Sequence, residues 1–342
     1  MKEVQTILVT ATGGPSGLAA IRSLQEIQEF TLVAVDADPL GSGLYTRGVK
    51  SYSVPLAKDR SYIGRLLEIC KKENVKVVLP CSDEEMHVMS KAKNKQPFHR
   101  LGIEVPISDH ELVMKASDKW KMLETISKFG IKIPETFSPP TLREFKGVLR
   151  KMDFPVVVRP RISRGSRGVT YCANKGEATT AFKVLKRTYG GVIVQELIHG
   201  GRGSVFVVQT LWDKKYQLCA AAVMQKLLER PPTGGVALAG KTVHDDHLLN
   251  IGASIVEKLG PWIGPAGIEF KINSSDGQPY VMEVNPRFQG VISLFTKAGI
   301  NFPYLWVLVA LEEEFAPQFK YEERFCIRYW NDIVIGEKDL VS

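Results

Sequence analysis

The sequence of 342 residues predicts a mixed α/β chain: a parallel βαβ opening, followed by α+β units. Three observations predict it. Residues 4–10 (VQTILVT) form an apolar strand, a glycine turn spans 11–17, and LAAIRSLQEI then runs at helical period before a second strand, TLVAVDAD. Further on, FPVVVRP and GVIVQELI are valine-rich strands with a helical stretch near Glu177–Thr188 between them. Finally, Gly267–Arg287 holds two alternating runs around the turn-rich Ser274-Ser275-Asp276-Gly277-Gln278, which is the pattern of a β-hairpin.

Length and composition bound the function. The chain is long enough for two or three domains, and 44% hydrophobic with 24% charged residues fits an ordinary soluble protein. No apolar run reaches 18 residues and MKEVQTILVT reads as a strand rather than a signal peptide, so no membrane partner is expected. The net charge of +8 favours anionic ligands such as nucleotides and carboxylates. The basic residues are dispersed, which excludes nucleic acid as the expected partner. Five scattered cysteines without a CxxC pair read as reduced thiols of a cytoplasmic protein.

Taken in order, the strand–glycine turn–helix–strand run ending at Asp36 is Rossmann-like, with backbone amides at a helix N-terminus open to an anion. Only Gly14 and Gly17 keep a G-x-x-G spacing, so a tight packing turn explains it as well. A helix near Tyr62–Glu73 leads to the strand VKVVLP. Ser82, Asp83 and Glu84 follow at its carboxyl end, as substrate contacts or as the cap of the next helix. Lys91–Arg100 reads as a solvated loop or helix end. Ser117-Asp118 caps the helix KWKMLETISKFG, and a second helix covers about Thr141–Lys151. The turn Arg161–Gly168 after FPVVVRP combines arginines with Gly165, Ser166 and Gly168, suited to close approach over phosphates. SVFVVQTLW and QLCAAAVMQKL pair across Asp213-Lys214-Lys215, and Arg230–Gly240 reads as a Pro/Gly loop. His244-Asp245-Asp246-His247 caps the helix DHLLNIGASIVEKLG rather than binding zinc. The apolar helix YLWVLVALEEE serves a core or a dimer interface, and FCIRYWNDIVI reads as a last strand closing against the core.

The hairpin carries the chemistry. Ile268, Phe270 and Ile272 share one face with Met282 and Val284. Glu269, Glu283 and Asn285 occupy the other. A turn centred on Asp276 sets Glu269 opposite Glu283, where two carboxylates repel unless a divalent cation sits between them. Three oxygen donors plus phosphate suit Mg2+, and Arg287, just past Pro286, is placed to reach a metal-held phosphate.

Four pieces in order, SDKWKMLETISKFGIKIPET, FPVVVRPRISRGSRGV, VQELIHGG and GIEFKINSSDGQPYVMEVNPRFQG followed by KAGINFP, resemble an ATP-grasp enzyme over about residues 110–312. The last piece is similar to the metal-binding segment of carbamoyl phosphate synthetase large-subunit domains. The resemblance implies a Rossmann-like pre-ATP-grasp domain (1–112), a small lid subdomain (113–190) and a C-terminal core subdomain (191–342) of a two-lobed ATP-grasp fold. It implies ATP and Mg2+, with Mn2+ as an alternative metal. By the same resemblance, Lys119 and Arg159 contact phosphates, and Arg161–Gly168, with Gly165, Ser166 and Gly168, covers them. Glu196 with Leu197 and Ile198 forms the adenine hinge, Glu269, Glu283 and Asn285 hold the metal, and Arg287 steadies the transferred phosphoryl group. Two departures stand out: arginine at 159, which the carbamoyl phosphate synthetase branch shares, and Gly200-Gly201-Arg202-Gly203-Ser204 in place of a ribose-gripping acid.

The implied activity is an ATP- and Mg2+-dependent carboxylate–amine ligase acting on two small molecules through an acyl phosphate. Lys226 and Arg230 are secondary candidates for contacts to that acyl phosphate. The alternatives are phosphorylation of bicarbonate or carbamate, a nucleotide sensor, and an NAD(P)-dependent oxidoreductase using Gly13–Gly17 and Asp36. Dimerisation is common in the family, so a homodimer is expected.

Overall fold

The computed structural model describes residues 4–231, 235–329 and 332–341. The chain opens with β1 (Gln5–Val9), α1 (Pro15–Gln25), β2 (Phe30–Asp36), β3 (Lys50–Ser53), α2 (Tyr62–Lys72) and β4 (Val75–Leu79). These strands make a parallel sheet of order β3-β2-β1-β4. Ile7, Leu8, Val9, Val33, Val77 and Val78 are all fully buried, as expected of strands covered on both faces. Helices α3 (Asp83–Met89), α4 (Ala92–His99) and α5 (His110–Ser117) follow. The expected solvated stretch Lys91–Arg100 is therefore a helix. Phe98, fully buried, anchors it, and one aromatic among seven polar neighbours leaves no periodic signal to read.

The next unit comprises α6 (Lys119–Ser127), β5 (Thr136–Phe137), α7 (Leu142–Val148), β6 (Val156–Pro160), β7 (Thr170–Cys172), α8 (Lys175–Tyr189) and β8 (Val192–Glu196). Its strands form an antiparallel sheet of order β5-β8-β6-β7, with α7 and α8 packed through the Phe145–Phe182 stack. Then come β9 (Val205–Trp212), β10 (Leu218–Arg230), β11 (Val236–Val243), α9 (Asp246–Leu259), β12 (Gly264–Ile272), β13 (Pro279–Asn285), α10 (Ile292–Ala298), α11 (Phe302–Leu311) and β14 (Phe325–Ile327). The six strands among them order as β13-β12-β9-β10-β11-β14.

Three expectations change here. Arg230–Gly240 is mostly ladder: β10 pairs with β11 as far as Arg230–Val236, and positions 232–234 of that loop lie outside the described residues. The last strand is three residues long, on the sheet edge, with Phe325 and Ile327 exposed rather than closing a core; positions 330 and 331 of its predicted run lie outside the described residues. In β13 the core face is held by Val281 and Val284, not by Met282. Pairing skips one residue between Glu269↔Glu283 and Phe270↔Val281, so Met282 is the extra residue of a bulge and turns to the opposite side.

One apolar cluster runs from the first sheet through α10 and α11 onto Val207, Leu211 and Met224 of the six-stranded sheet. A second packs α6 and α9 on that sheet's other face, around Val208, Trp212, Ile268 and Phe270. Helix α11 lies inside the first cluster, with Leu305, Trp306, Val307 and Ala310 essentially buried, so its apolar run serves the core of a single chain. Among the described residues no single helix is long and apolar enough to cross a membrane.

Candidate active site

The β12–β13 hairpin forms as its sequence dictates. Asp276 accepts the Gln278 N–H and the Lys132 ammonium, and Gly277 takes the positive φ of +68° that closes the turn. Glu269 then pairs directly with Glu283. Each carboxylate has its own lysine. Lys226 of β10 donates to Glu269 at 2.6 Å and reaches Glu229 at 3.3 Å, and Lys119, the first residue of α6, stands 3.4 Å from Glu283. Lys119 and Lys226 are only about 5% exposed, so these are charges held out of water and stabilised by partners. Burial raises the pKa of Glu269, against the pull of Lys226. At Glu283 burial also pushes upward, but Lys119, the Asn285 amide and Arg159 prevail and hold it below the ordinary carboxylate range. Burial presses the Lys119 pKa down, with Glu283 opposing it.

Asn285 donates its amide N–H to Glu283 at 3.0 Å. Arg159 of β6 donates to the Met282 carbonyl at 2.9 Å, which the bulge turns toward it, while its Nε is buried with no partner. Arg287 does not stand free for a phosphate: it makes a two-pronged ion pair with Asp83 at 2.9 and 3.0 Å. Glu84 pairs with Arg164 of the glycine-rich turn at 2.6 Å. Of the three residues at the end of β4, Ser82 is thus the cap of α3, in a capping box with Glu85, and the next two bind arginines.

A cavity of about 790 Å3 gathers most of the predicted residues: Lys119, Arg159, Gly165, Ser166, Glu196, Leu197, Ile198, Glu269, Glu283 and Arg287. The Glu196 carboxylate accepts the Glu135 N–H at 2.9 Å, tying the end of β8 to the residue before β5. Gly168 does not line the cavity. It has φ +77°, and a Cβ there would lie 2.9 Å from Leu185 and Pro160, so this glycine answers to packing. Arg230 is exposed and outside the cavity, whereas Lys226 is a wall of it. Arg202, in the stretch that lacks the acid expected from the resemblance, lines it, with its Nε donating to the Leu227 carbonyl at 2.8 Å.

A smaller cavity of about 190 Å3 adjoins and shares Lys119 and Glu283; Asn285 lines this one. Gln289 was not foreseen: it lines the large cavity and its Nε2 is buried without a partner. Its only sequence signal is its place two residues beyond Arg287.

Two other sequence candidates divide between packing and the cavity wall. Asp36 accepts the Gly13 N–H at 2.7 Å, and a Cβ on Gly13 would meet the Gly41 Cα at 2.8 Å, so Gly13 packs within its own domain, whereas Ala11, Gly14, Pro15 and Ser16 of the same turn line the large cavity. Asp245 caps α9, accepting from Leu248 at 2.9 Å. Among the described residues no cluster of three His, Cys, Asp or Glu is arranged for a metal, so a cation would rely on two glutamates and the Asn285 amide.

Two family models match the sequence: an ATP-grasp domain over residues 116–291 and a PylC-like N-terminal domain over 7–106. The chain is 24% identical over 307 residues to the carbamoyl phosphate synthase large chain, N-terminal section, of Aquifex aeolicus, covering 86% of this chain and 54% of that relative. It therefore spans about half that relative's length. Among solved structures, biotin carboxylase from Campylobacter jejuni in complex with β,γ-ATP superposes with a TM-score of 0.72 at 17% identity, over 90% of this chain and 71% of that one. L-amino acid ligase from Bacillus licheniformis superposes with a TM-score of 0.69 at 18% identity, over 91% and 75%. With half the sequence matched by the domain model and the opposed glutamates at the heart of the matched region, the chain belongs to the ATP-grasp family of ATP-dependent ligase-type enzymes.

Proposed function

We propose that the chain is an ADP-forming carboxylate–amine ligase that uses ATP and Mg2+, or Mn2+, and makes an amide by way of an acyl phosphate. The observation that carries the reading is the opposed, buried Glu269–Glu283 pair, surrounded by Lys119, Arg159, Lys226 and Arg287 in one cavity. Asp83 and Glu229 offset Arg287 and Lys226, but the cavity wall as a whole carries eight lysines and arginines against four glutamates, an excess of positive charge suited to a nucleotide's phosphates. The unpartnered Nε of Arg159 fits a phosphate oxygen. Glu269, Glu283 and Asn285 would hold the metal, which supplies charge neutralisation as the phosphoryl group moves.

In this reading Leu197 and Ile198 present backbone to adenine while Lys119 and Arg159 fix the phosphates. The Gly165–Ser166 turn closes over them and excludes water, which an acyl phosphate requires. Arg287 and Gln289 face the acid. The chain divides functionally into 1–112, 113–190 and 191–342, with the nucleotide between the last two, and two small molecules as the only other partners.

A second reading, phosphorylation of bicarbonate alone, is favoured by the likeness to carbamoyl phosphate synthase. ADP release measured with MgATP and pools of acids and amines separates them. Turnover needing both an acid and an amine supports the ligase, and turnover with bicarbonate alone supports the second. Glu283→Gln is expected to cut ADP formation at least about a hundredfold while circular dichroism shows a folded protein. Full activity in that variant would place the metal elsewhere.

A further inference from the structure

The smaller cavity has a wall that the nucleotide reading does not use. His87 of α3 and Ser117, the last residue of α5, both line it, with His87 Nε2 2.8 Å from Ser117 Oγ. It borders the large cavity along Lys119, Ser163, Arg164, Arg167 and Glu283, which line both. Asp83, Glu84 and Glu283 give it carboxylates, paired with Arg287, Arg164 and Lys119 in turn, and Arg167 lines it as well. Walls of both signs suit a zwitterion, whereas the Arg287 and Gln289 end of the large cavity offers donors to an anion.

We propose that this second cavity admits the amine substrate, an amino acid, and that Ser117 and His87 carry its proton away. The proposal deepens the ligase reading and rests on it. The amine of an amino acid arrives mostly as an ammonium ion, since α-amino groups titrate above neutral pH. One proton must leave before the nitrogen has a lone pair to attack with. The ammonium hands that proton through the Ser117 hydroxyl to the neutral imidazole. The nitrogen then forms the C–N bond at the acyl carbon, the carbon–oxygen bond to phosphate breaks, and phosphate departs with the second N–H proton as HPO4 2−. Charge and atoms balance: acyl phosphate plus ammonium gives amide, hydrogen phosphate and the one proton held by His87.

The surroundings of His87 keep it able to accept. Burial lowers its pKa from the ordinary value, Asp83 and Glu84 on its own helix raise it, and His110 of α5 and Lys91 beside α4 lower it. The net direction is down, so the imidazole is neutral at neutral pH. The rate of aminolysis is then present above the lowered pKa and lost as pH falls through it.

Hydroxylamine separates this step from the rest, because it is already unprotonated at neutral pH and traps an acyl phosphate without a base. The 342-residue chain is given MgATP, the standard amino acids as acids and amines, and hydroxylamine in parallel reactions. His87→Gln is expected to lower amide formation about a hundredfold, and Ser117→Ala by less, with hydroxamate formation as in wild type in both. The acid limb of the amide pH profile should vanish in His87→Gln. In nucleotide-free protein the 15N imidazole signals of His87 should move on adding the amino acids.

Parallel loss of amide and hydroxamate would mean that the pair merely supports α3 on α5, and overturns the proposal. So do unchanged amide rates, unmoved imidazole signals, or a wild type that makes hydroxamate but no amide. Wild type releasing no ADP with any acid or nucleophile would instead remove the ligase reading itself.

Discussion

Lys226 and Glu269 meet at 2.6 Å inside the sheet, and that single contact decides how the site behaves without a metal. Two facing carboxylates on neighbouring strands need a positive charge between them, and a buried lysine supplies it for Glu269. Any divalent cation held there competes with that ammonium. Lys226→Met therefore leaves Glu269 uncompensated, which costs on the order of 3 kcal/mol when one partner of a buried pair is removed. The metal-free melting temperature should fall, and added Mg2+ should raise it by more than in wild type. Equal Mg2+ shifts in the two proteins would show that the cation binds away from Glu269. The acids of this site were legible, since alternation and a turn centred on Asp276 set their register. Their lysine partners were not, because a contact between β10 and β12 depends on strand order, which no local pattern encodes. Asp83 stood among the candidates at the end of β4, but its pairing with Arg287, 204 residues away, was illegible for the same reason.

At the scale of elements, the turn between β6 and β7 shows where reading from composition succeeds and where it stops. Its arginines and glycines announced a phosphate-covering loop, and Gly165 and Ser166 do line the cavity. Gly168 belongs to the same run but packs beneath Leu185 and Pro160. A glycine for close ligand approach and one for close packing look alike in sequence. Gly168→Ala should destabilise the protein by about 1–2 kcal/mol from its left-handed backbone, and more from the contacts at 2.9 Å. The KM for ATP should stay at the wild-type value, and a raised KM without loss of thermal stability would return Gly168 to the nucleotide site. The bulge at Met282 is likewise invisible to a period-two reading, which assigns it to the core. It is the bulge that aims the Met282 carbonyl at Arg159. Helix α4 was missed because one buried phenylalanine holds a polar segment that has no stripe.

At the scale of the molecule, the first sheet and the six-stranded sheet share one apolar core, filled from the C-terminal side by α10 and α11. Trp306 is its centre: fully buried, edge-on to Phe288 at 5.1 Å, with its indole N–H donated to the Pro106 carbonyl at 2.8 Å. Ser16 reaches the Phe288 carbonyl at 3.0 Å and Asn301 reaches the Ser23 carbonyl at 2.8 Å, so the seam is sealed by polar contacts as well. The acids that grip Arg164 and Arg287 sit on the first-sheet side of this seam, and their aim depends on its holding still. Truncating Trp306 to alanine removes most of a buried aromatic and costs about 3–5 kcal/mol. Because its neighbours come from both sides, the loss should appear as one calorimetric transition moved to lower temperature, with ADP formation lost along the same curve. If instead the variant melts in two separated steps, with one half unchanged from wild type, the two sheets are independently stable and the seam does not couple them.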